Sequence, residues 1–320
     1  MADLNRRGFL KTATAVGLSG VGLLASRQAA AAEGGKRKFT MDLRCGAIGV
    51  KADLREAIRL AHQYGFESVE PSAPTLAKLS DAELGELLAD LKGKNLVWGA
   101  AGLPVDFRGD ESKFQDDLKQ LPDLAAALQR AGVTRVGTWI SPTHNSLTYV
   151  ANFRQHARRL HEVAKILGDC GQRFGLEYVG PKTSWTKGRY PFVHTMAETK
   201  DLLAEIGRDN VGFVLDSWHW YTAEETEADL LTLTGHDVVA CDLNDAPAGI
   251  PVDEQMDGSR ELPAATGVID LAAFLGALVK IGYNGPVRAE PFNKKLLAMP
   301  NEEAMAATAA AMKKAFALVE

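Results

Sequence analysis

Four acidic residues stand where apolar runs give way to loops: Glu177 in RFGLEYVG, Asp216 in VGFVLDSWHWY, Asp242 in VVACDLND and Glu290 in PVRAEPF. Each run has the length and apolar character of a β-strand, so each carboxylate falls at a strand C-terminus. If the four strands are parallel neighbours, the carboxylates converge on one spot. Acids gathered in a half-buried site repel one another, and a divalent cation is the usual means of holding them. An oxygen-rich set suits Mn2+, Mg2+ or Ca2+, whereas Zn2+ prefers more nitrogen or sulfur. His219 follows Asp216 by three residues, in the loop expected beyond the strand and within reach of whatever the ion binds. Trp218, Trp220 and Tyr221 beside it either line a sugar pocket or pack at its rim.

The elements that must position these groups alternate with little else between them. Strand candidates span 42–49, 67–72, 96–102, 135–141, 173–179, 211–217, 238–244 and 286–291. Between them lie helix candidates with apolar residues at three- and four-residue spacing: 53–64, 80–92, 113–131, 149–171, 194–206, 225–232, 270–281 and 301–318. Ser80-Asp81-Ala82-Glu83 reads as a capping box, Asp270 as an N-cap, and Gly65, Gly132, Gly175 and Gly282 as residues that close helices ahead of strands. Eight strands alternating with eight helices predict an α/β fold of the (β/α)8 TIM-barrel type, with function at the strand C-termini. Side chains alternate along a strand, so Gly212, Val214 and Asp216 share one direction, as do Val238, Ala240 and Asp242. If the small members line the interior, the carboxylates cap it. Arg288 shares the direction of Glu290 and would point inward, with Glu70 and Asp42 as available partners. The longest irregular stretch, 246–268, follows the seventh strand and would overhang the site.

Composition narrows the function. Asn5-Arg6-Arg7-Gly8-Phe9-Leu10-Lys11, a weakly apolar run and Ala29-Ala30-Ala31-Ala32 form a twin-arginine signal pattern with a cleavage site. Residues 1–32 are therefore expected to be a cleaved signal, 33–38 a linker and 39–320 one barrel domain. The expected location is periplasmic, reached through the twin-arginine export machinery, which carries folded, often metal-loaded proteins. Without residues 1–32 the net charge moves from −5 to −8, a poor match for nucleic-acid binding. Cys45, Cys170 and Cys241 are widely spaced and odd in number, implying free thiols. No GxGxxG follows the first strand and no GxxxxGK[ST] occurs, so nucleotide binding has no support.

The chain resembles the xylose-isomerase-like barrels of sugar isomerases and epimerases, a superfamily that includes inosose dehydratases, tagatose 3-epimerase-type enzymes and apurinic-site endonucleases. The resemblance rests on Leu176-Glu177, Leu215-Asp216-x-x-His219, Leu243-Asn244-Asp245 and Ala289-Glu290-Pro291, and covers 39–320. It implies one divalent cation (Mn2+ or Mg2+ ahead of Zn2+ or Co2+) on Glu177, Asp216, Asp242 and Glu290. Glu177 and Glu290 would also be the catalytic acid/base pair, and His219 and Arg260 would bind substrate. Where the family usually places histidine on the seventh strand, this chain has Asp242. The endonuclease branch also needs histidines where Glu70 and Gly102-Leu103 stand, which excludes that activity. The implied function is an exported sugar isomerase or epimerase acting by proton abstraction beside a carbonyl. A keto-sugar lyase or dehydratase on the same site and a non-catalytic sugar-binding barrel are the alternatives. The partner is a small sugar or keto-sugar, and homo-oligomerisation is left open.

Overall fold

The computed structural model describes residues 36–320. The twin-arginine signal expected over residues 1–32 lies outside the described residues. Eight parallel strands form the sheet: β1 (Thr40–Leu43), β2 (Ser68–Val69), β3 in two pieces (Val97–Trp98 and Ala101–Gly102), β4 (Arg135–Trp139), β5 (Arg173–Glu177), β6 (Val211–Asp216), β7 (Val238–Leu243) and β8 (Pro286–Ala289). The first piece of β3 pairs with β2 and the second with β4. The two ends of the sheet are therefore the two halves of one strand, and the sheet closes as a TIM barrel.

Helices α1 (Leu54–Tyr64), α2 (Asp81–Gly93), α3 (Glu111–Arg130), α4 (Tyr149–Asp169), α5 (Met196–Ile206), α6 (Glu227–Leu230), α7 (Leu271–Lys280) and α8 (Asn301–Phe316) alternate with the strands. The capping box at Ser80 forms, as does the Asp270 cap. The sixth helix is a single turn, shorter than the 225–232 expected. Three of the four expected helix-closing glycines hold and one does not. Gly65, Gly132 and Gly282 have positive φ after helices, but Gly171 plays that part after α4, and Gly175 lies inside β5. A Cβ on Gly175 would meet Val214 Cγ2 at 2.8 Å and Val239 Cβ at 2.9 Å. The close approach inside the barrel, not a turn, is what requires glycine there.

Small residues fill that interior: Ala100, Val214 and Ala240 form a cluster of their own, apart from the main core under the helices. Directly above it, strand register sets Asp42 beside Arg288, Arg288 beside Asp242, and Asp242 beside Asp216. The barrel is thus apolar in its lower layer and charged at its C-terminal mouth. All three cysteines are free.

Candidate metal and active site

The strand-end acids meet as their spacing suggests. Glu177, Asp216, Asp242 and Glu290 are all buried. One oxygen from each of Glu177, Asp242 and Glu290 lies within 4.8 Å of the others, and Glu177, Asp216 and His219 form a second such triad. Glu177 belongs to both. Its Oε1 atom is buried and has no hydrogen-bond partner among the described residues. Burial, then the charges of Glu290, Asp242 and Asp216, hold the Glu177 carboxyl well above its ordinary range. Burial and Asp242 also raise Glu290, with relief from Arg44, Arg260 and Arg288. An orphaned carboxylate oxygen among converging acids fits a divalent cation.

Two buried arginines share this space, and they alter the expected roles. Arg288 does point inward, but its partner is Asp242 rather than Glu70 or Asp42: Nε donates to Oδ1 at 2.5 Å and Nη2 to Oδ2 at 3.1 Å. Burial alone would raise the Asp242 carboxyl, but Arg288 outweighs it and holds the group below its usual range. Asp242 is therefore ionised and fixed, whether or not it also meets an ion. Arg260 is 2 % exposed. Its Nη1 donates to Asp216 Oδ2 at 2.7 Å and approaches Glu290 Oε2 at 3.5 Å. Its ring-stacked guanidinium lies 4.5 Å from the Phe292 ring centre and 5.5 Å from that of Trp218. Arg260 thus sits among the acids as well as bordering the cleft.

His219 is not in a loop. It lies on the short helix Ser217–Thr222, capped by Asp216, whose Oδ1 accepts from Trp218 N–H at 2.8 Å. The same Oδ1 accepts from Asn244 Nδ2 at 2.9 Å, and Asn244 Oδ1 accepts from the Glu290 N–H at 3.1 Å. Asn244 therefore ties two strand-end acids together, a role its place two residues past Asp242 offered but sequence reasoning did not assign. Burial, then the Arg260 charge, pushes the His219 imidazole down to about 3, so it is neutral. Its Nδ1 accepts the Gly180 N–H at 3.2 Å, and Arg260 Nη2 lies 3.3 Å from its Nε2. That Nε2 faces Glu177 at 3.7 Å and Asp216 at 3.8 Å.

The overhanging segment after β7 owes its order to Asp245. Its carboxylate accepts from four backbone N–H groups, those of Ala246, Thr266, Gly267 and Ile269, at 2.7 to 3.1 Å. Its backbone bridges Glu261, next to Arg260. Burial raises the Asp245 carboxyl, but those N–H groups outweigh it and hold the group below its usual range. The stabilisation is thus complete above the unfolded value near 4 and lost as pH falls through the folded one. Asp245→Ala should lower stability by about 2–3 kcal/mol in urea unfolding at pH 7, since several buried donors lose their acceptor. An unchanged midpoint would show that the segment holds itself.

Sequence reasoning also missed Arg44 at the mouth, and it placed Glu70 at a strand end without pairing the two. Arg44 follows β1 directly, bonds Glu290 and lies 3.3 Å from Glu70. Both lie just past a strand end, the position that singled out the other four acids. The cleft above the acids has a wider lobe of ≈ 480 Å³, bordered by His219, Arg260, Asp257 and Lys187, and a narrower one of ≈ 200 Å³.

Comparison with known proteins places this architecture. An inosose isomerase of Bacillus velezensis is 26 % identical over 258 residues, 79 % of this chain and 88 % of that protein. A solved structure of a xylose isomerase domain protein from Alicyclobacillus acidocaldarius superposes with a TM-score of 0.75 at 34 % identity, over 85 % of this chain and 96 % of that one. The IolI protein, solved with a bound zinc atom, superposes with a TM-score of 0.71 at 22 % identity, over 88 % and 98 % of the two chains. The profile of the xylose isomerase-like TIM barrel family matches residues 58–315, and the chain belongs to that family.

Proposed function

We propose that the protein is a metal-dependent sugar isomerase or epimerase that removes a proton from the carbon beside a substrate carbonyl. The observation that carries this reading is the Glu177–Glu290 pair. Both are buried at the barrel mouth, both are raised in pKa, and they carry oxygens within 4.8 Å of each other. Carboxyl groups held above their ordinary range bind a proton more firmly than free ones, which suits them to take a proton and return it. A divalent cation held by Glu177, Asp242 and Glu290, with Asp216 adjoining, would polarise the carbonyl and favour the enediolate.

The residues then divide the work. Either glutamate takes the proton while the other stands across the bound molecule. Return of a proton to the neighbouring carbon gives the isomer, and return to the opposite face of the same carbon gives the epimer. Loss of a β-hydroxyl after the same first step gives a dehydratase, the alternative chemistry for this site. His219 and Arg260 hold substrate oxygens, and Asn244 keeps Asp216 and Glu290 in register. The inosose isomerase relative supports the isomerase reading, and the zinc in IolI supports the metal. The twin-arginine pattern in residues 1–32 extends the proposal to an exported enzyme acting outside the cytoplasm.

Metal and pH together test it. Burial raises Asp216, Asp42 and Glu225 to about 7 each. A carboxyl raised above its unfolded value stabilises the fold fully at acid pH, and that contribution is lost as pH climbs from near 4 through 7. The metal-free protein should therefore lose about 5 °C or more in Tm between pH 5 and 8. Mn2+ should restore much of this at pH 8, with about one ion per chain by elemental analysis. No thermal gain with Mn2+, Mg2+, Zn2+ or Co2+, and no ion retained, would remove the metal from the proposal.

A further inference from the structure

The two lobes of the cleft share Arg44, Trp139, Glu177 and Glu290. The narrower lobe runs past Gly102 and Leu103 to Arg108, on the segment between β3 and α3. Three arginines border it, and two already face carboxylates: Arg288 is bonded to Asp242, and Arg44 to Glu290 and Glu70. Arg108 differs. Among the described residues its only acid is Asp106, 3.9 Å from Nε, and that Asp106 carboxylate already accepts the backbone N–H groups of Arg108 and Gly109.

The Arg108 guanidinium is nevertheless held rigidly. It lies 4.5 Å from the Phe107 ring centre and 4.4 Å from that of Trp139. Nη1 donates to the Trp139 carbonyl at 2.6 Å and to Thr138 Oγ1 at 3.3 Å. Among the described residues Nη2 makes no hydrogen bond. Burial is the largest influence on the group and lowers its pKa, so the surroundings do not fully compensate its charge. A guanidinium packed against two rings, with Nη2 uncommitted and the residue lining a small polar lobe, is preorganised for an oxyanion.

We infer that the narrow lobe binds an anionic oxyacid group of the substrate through Arg108, with Arg44 beside it, so that the substrate is an acidic hydroxyketone rather than a neutral sugar. This inference rests on the proton-abstraction reading for the reacting end of the molecule, which lies over Glu177 and Glu290. A carboxylate and a phosphate monoester share the chemistry that Arg108 recognises.

Calorimetric titration of the full chain with Mn2+ present, using D-fructose, 2-keto-D-gluconate and D-fructose 6-phosphate, tests the inference. At least one anionic probe should bind about tenfold or more tightly than D-fructose, and the better of the two identifies carboxylate or phosphate. Arg108→Ala should cut that advantage to less than about threefold, and Arg108→Lys should keep part of it. The thermal melt of each variant shows whether it is folded. Equal or tighter binding of D-fructose, no measurable binding of either anion, or an advantage that survives in folded Arg108→Ala would overturn it. The same samples in D2O separate the two ideas. Deuterium uptake by D-fructose without anion preference sinks this inference and leaves proton abstraction standing. Anion preference without uptake by any probe does the reverse.

Discussion

Glu290→Gln lowers kcat by about 1,000-fold while leaving the fold intact, the largest effect expected of any single-atom change in this protein. The amide keeps the size of the side chain, and the Glu290 N–H keeps its bond to Asn244. What disappears is a carboxylate that bonds Arg44, approaches Arg260 and contributes one of three converging oxygens. The loss should fall on kcat more than on KM, because a proton-transferring group acts mainly in the transition state. Steady-state kinetics on an accepted substrate, with circular dichroism of the same preparation, measures both parts. Wild-type turnover in the variant would take Glu290 out of the chemistry and leave it as a counter-ion to Arg44.

Arg288→Met is the second large effect, and it falls on stability. Removing the guanidinium leaves Asp242 ionised or orphaned in a fully buried layer, a change that costs about 3–5 kcal/mol. For a domain of this size the Tm should fall by about 10 °C. Replacing both members, Arg288→Met with Asp242→Leu, should recover most of the stability, because no lone charge remains. The double variant would still lack one proposed ligand oxygen, so its metal affinity should stay low. Recovery of stability together with full metal binding would assign Asp242 to the ion pair alone. Denaturant unfolding and metal titration on the three proteins give the answer.

Much of this site could be seen in the sequence because one physical rule repeats. Apolar runs that end in an acid at Glu177, Asp216, Asp242 and Glu290 are strands whose C-termini meet, and helix caps such as Ser80 and Asp270 mark the elements between them. Distances across the barrel could not be seen. Arg288 faced inward as its phase implied, but Asp42 on β1 and Asp242 on β7 both lie beside it in register, and only the side-chain geometry turns the guanidinium to Asp242. Arg260 sits in a segment of irregular length, so its contact with Asp216 is a product of the Asp245 anchor. His219 was placed correctly near the acids, but the turn of helix that carries it is only Ser217–Thr222, too short for periodicity to reveal. Gly175 followed a helical pattern closely enough to pass for a cap, and only the nearness of Val214 shows why it is glycine. Arg108 carried no signal at all, since its significance lies in what it lacks.

Transfer of solvent hydrogen tests proton abstraction most directly. The Mn2+-loaded protein is incubated in D2O with keto-sugars and acidic hydroxyketones, and the recovered compounds are examined by NMR. The expected result is deuterium at the carbon beside the carbonyl in at least one compound, absent with Glu290→Gln and with chelator-treated protein. A compound that binds to the metal-loaded protein and is recovered without deuterium would contradict it, and would make this barrel a sugar-binding protein that has kept the pocket without the reaction.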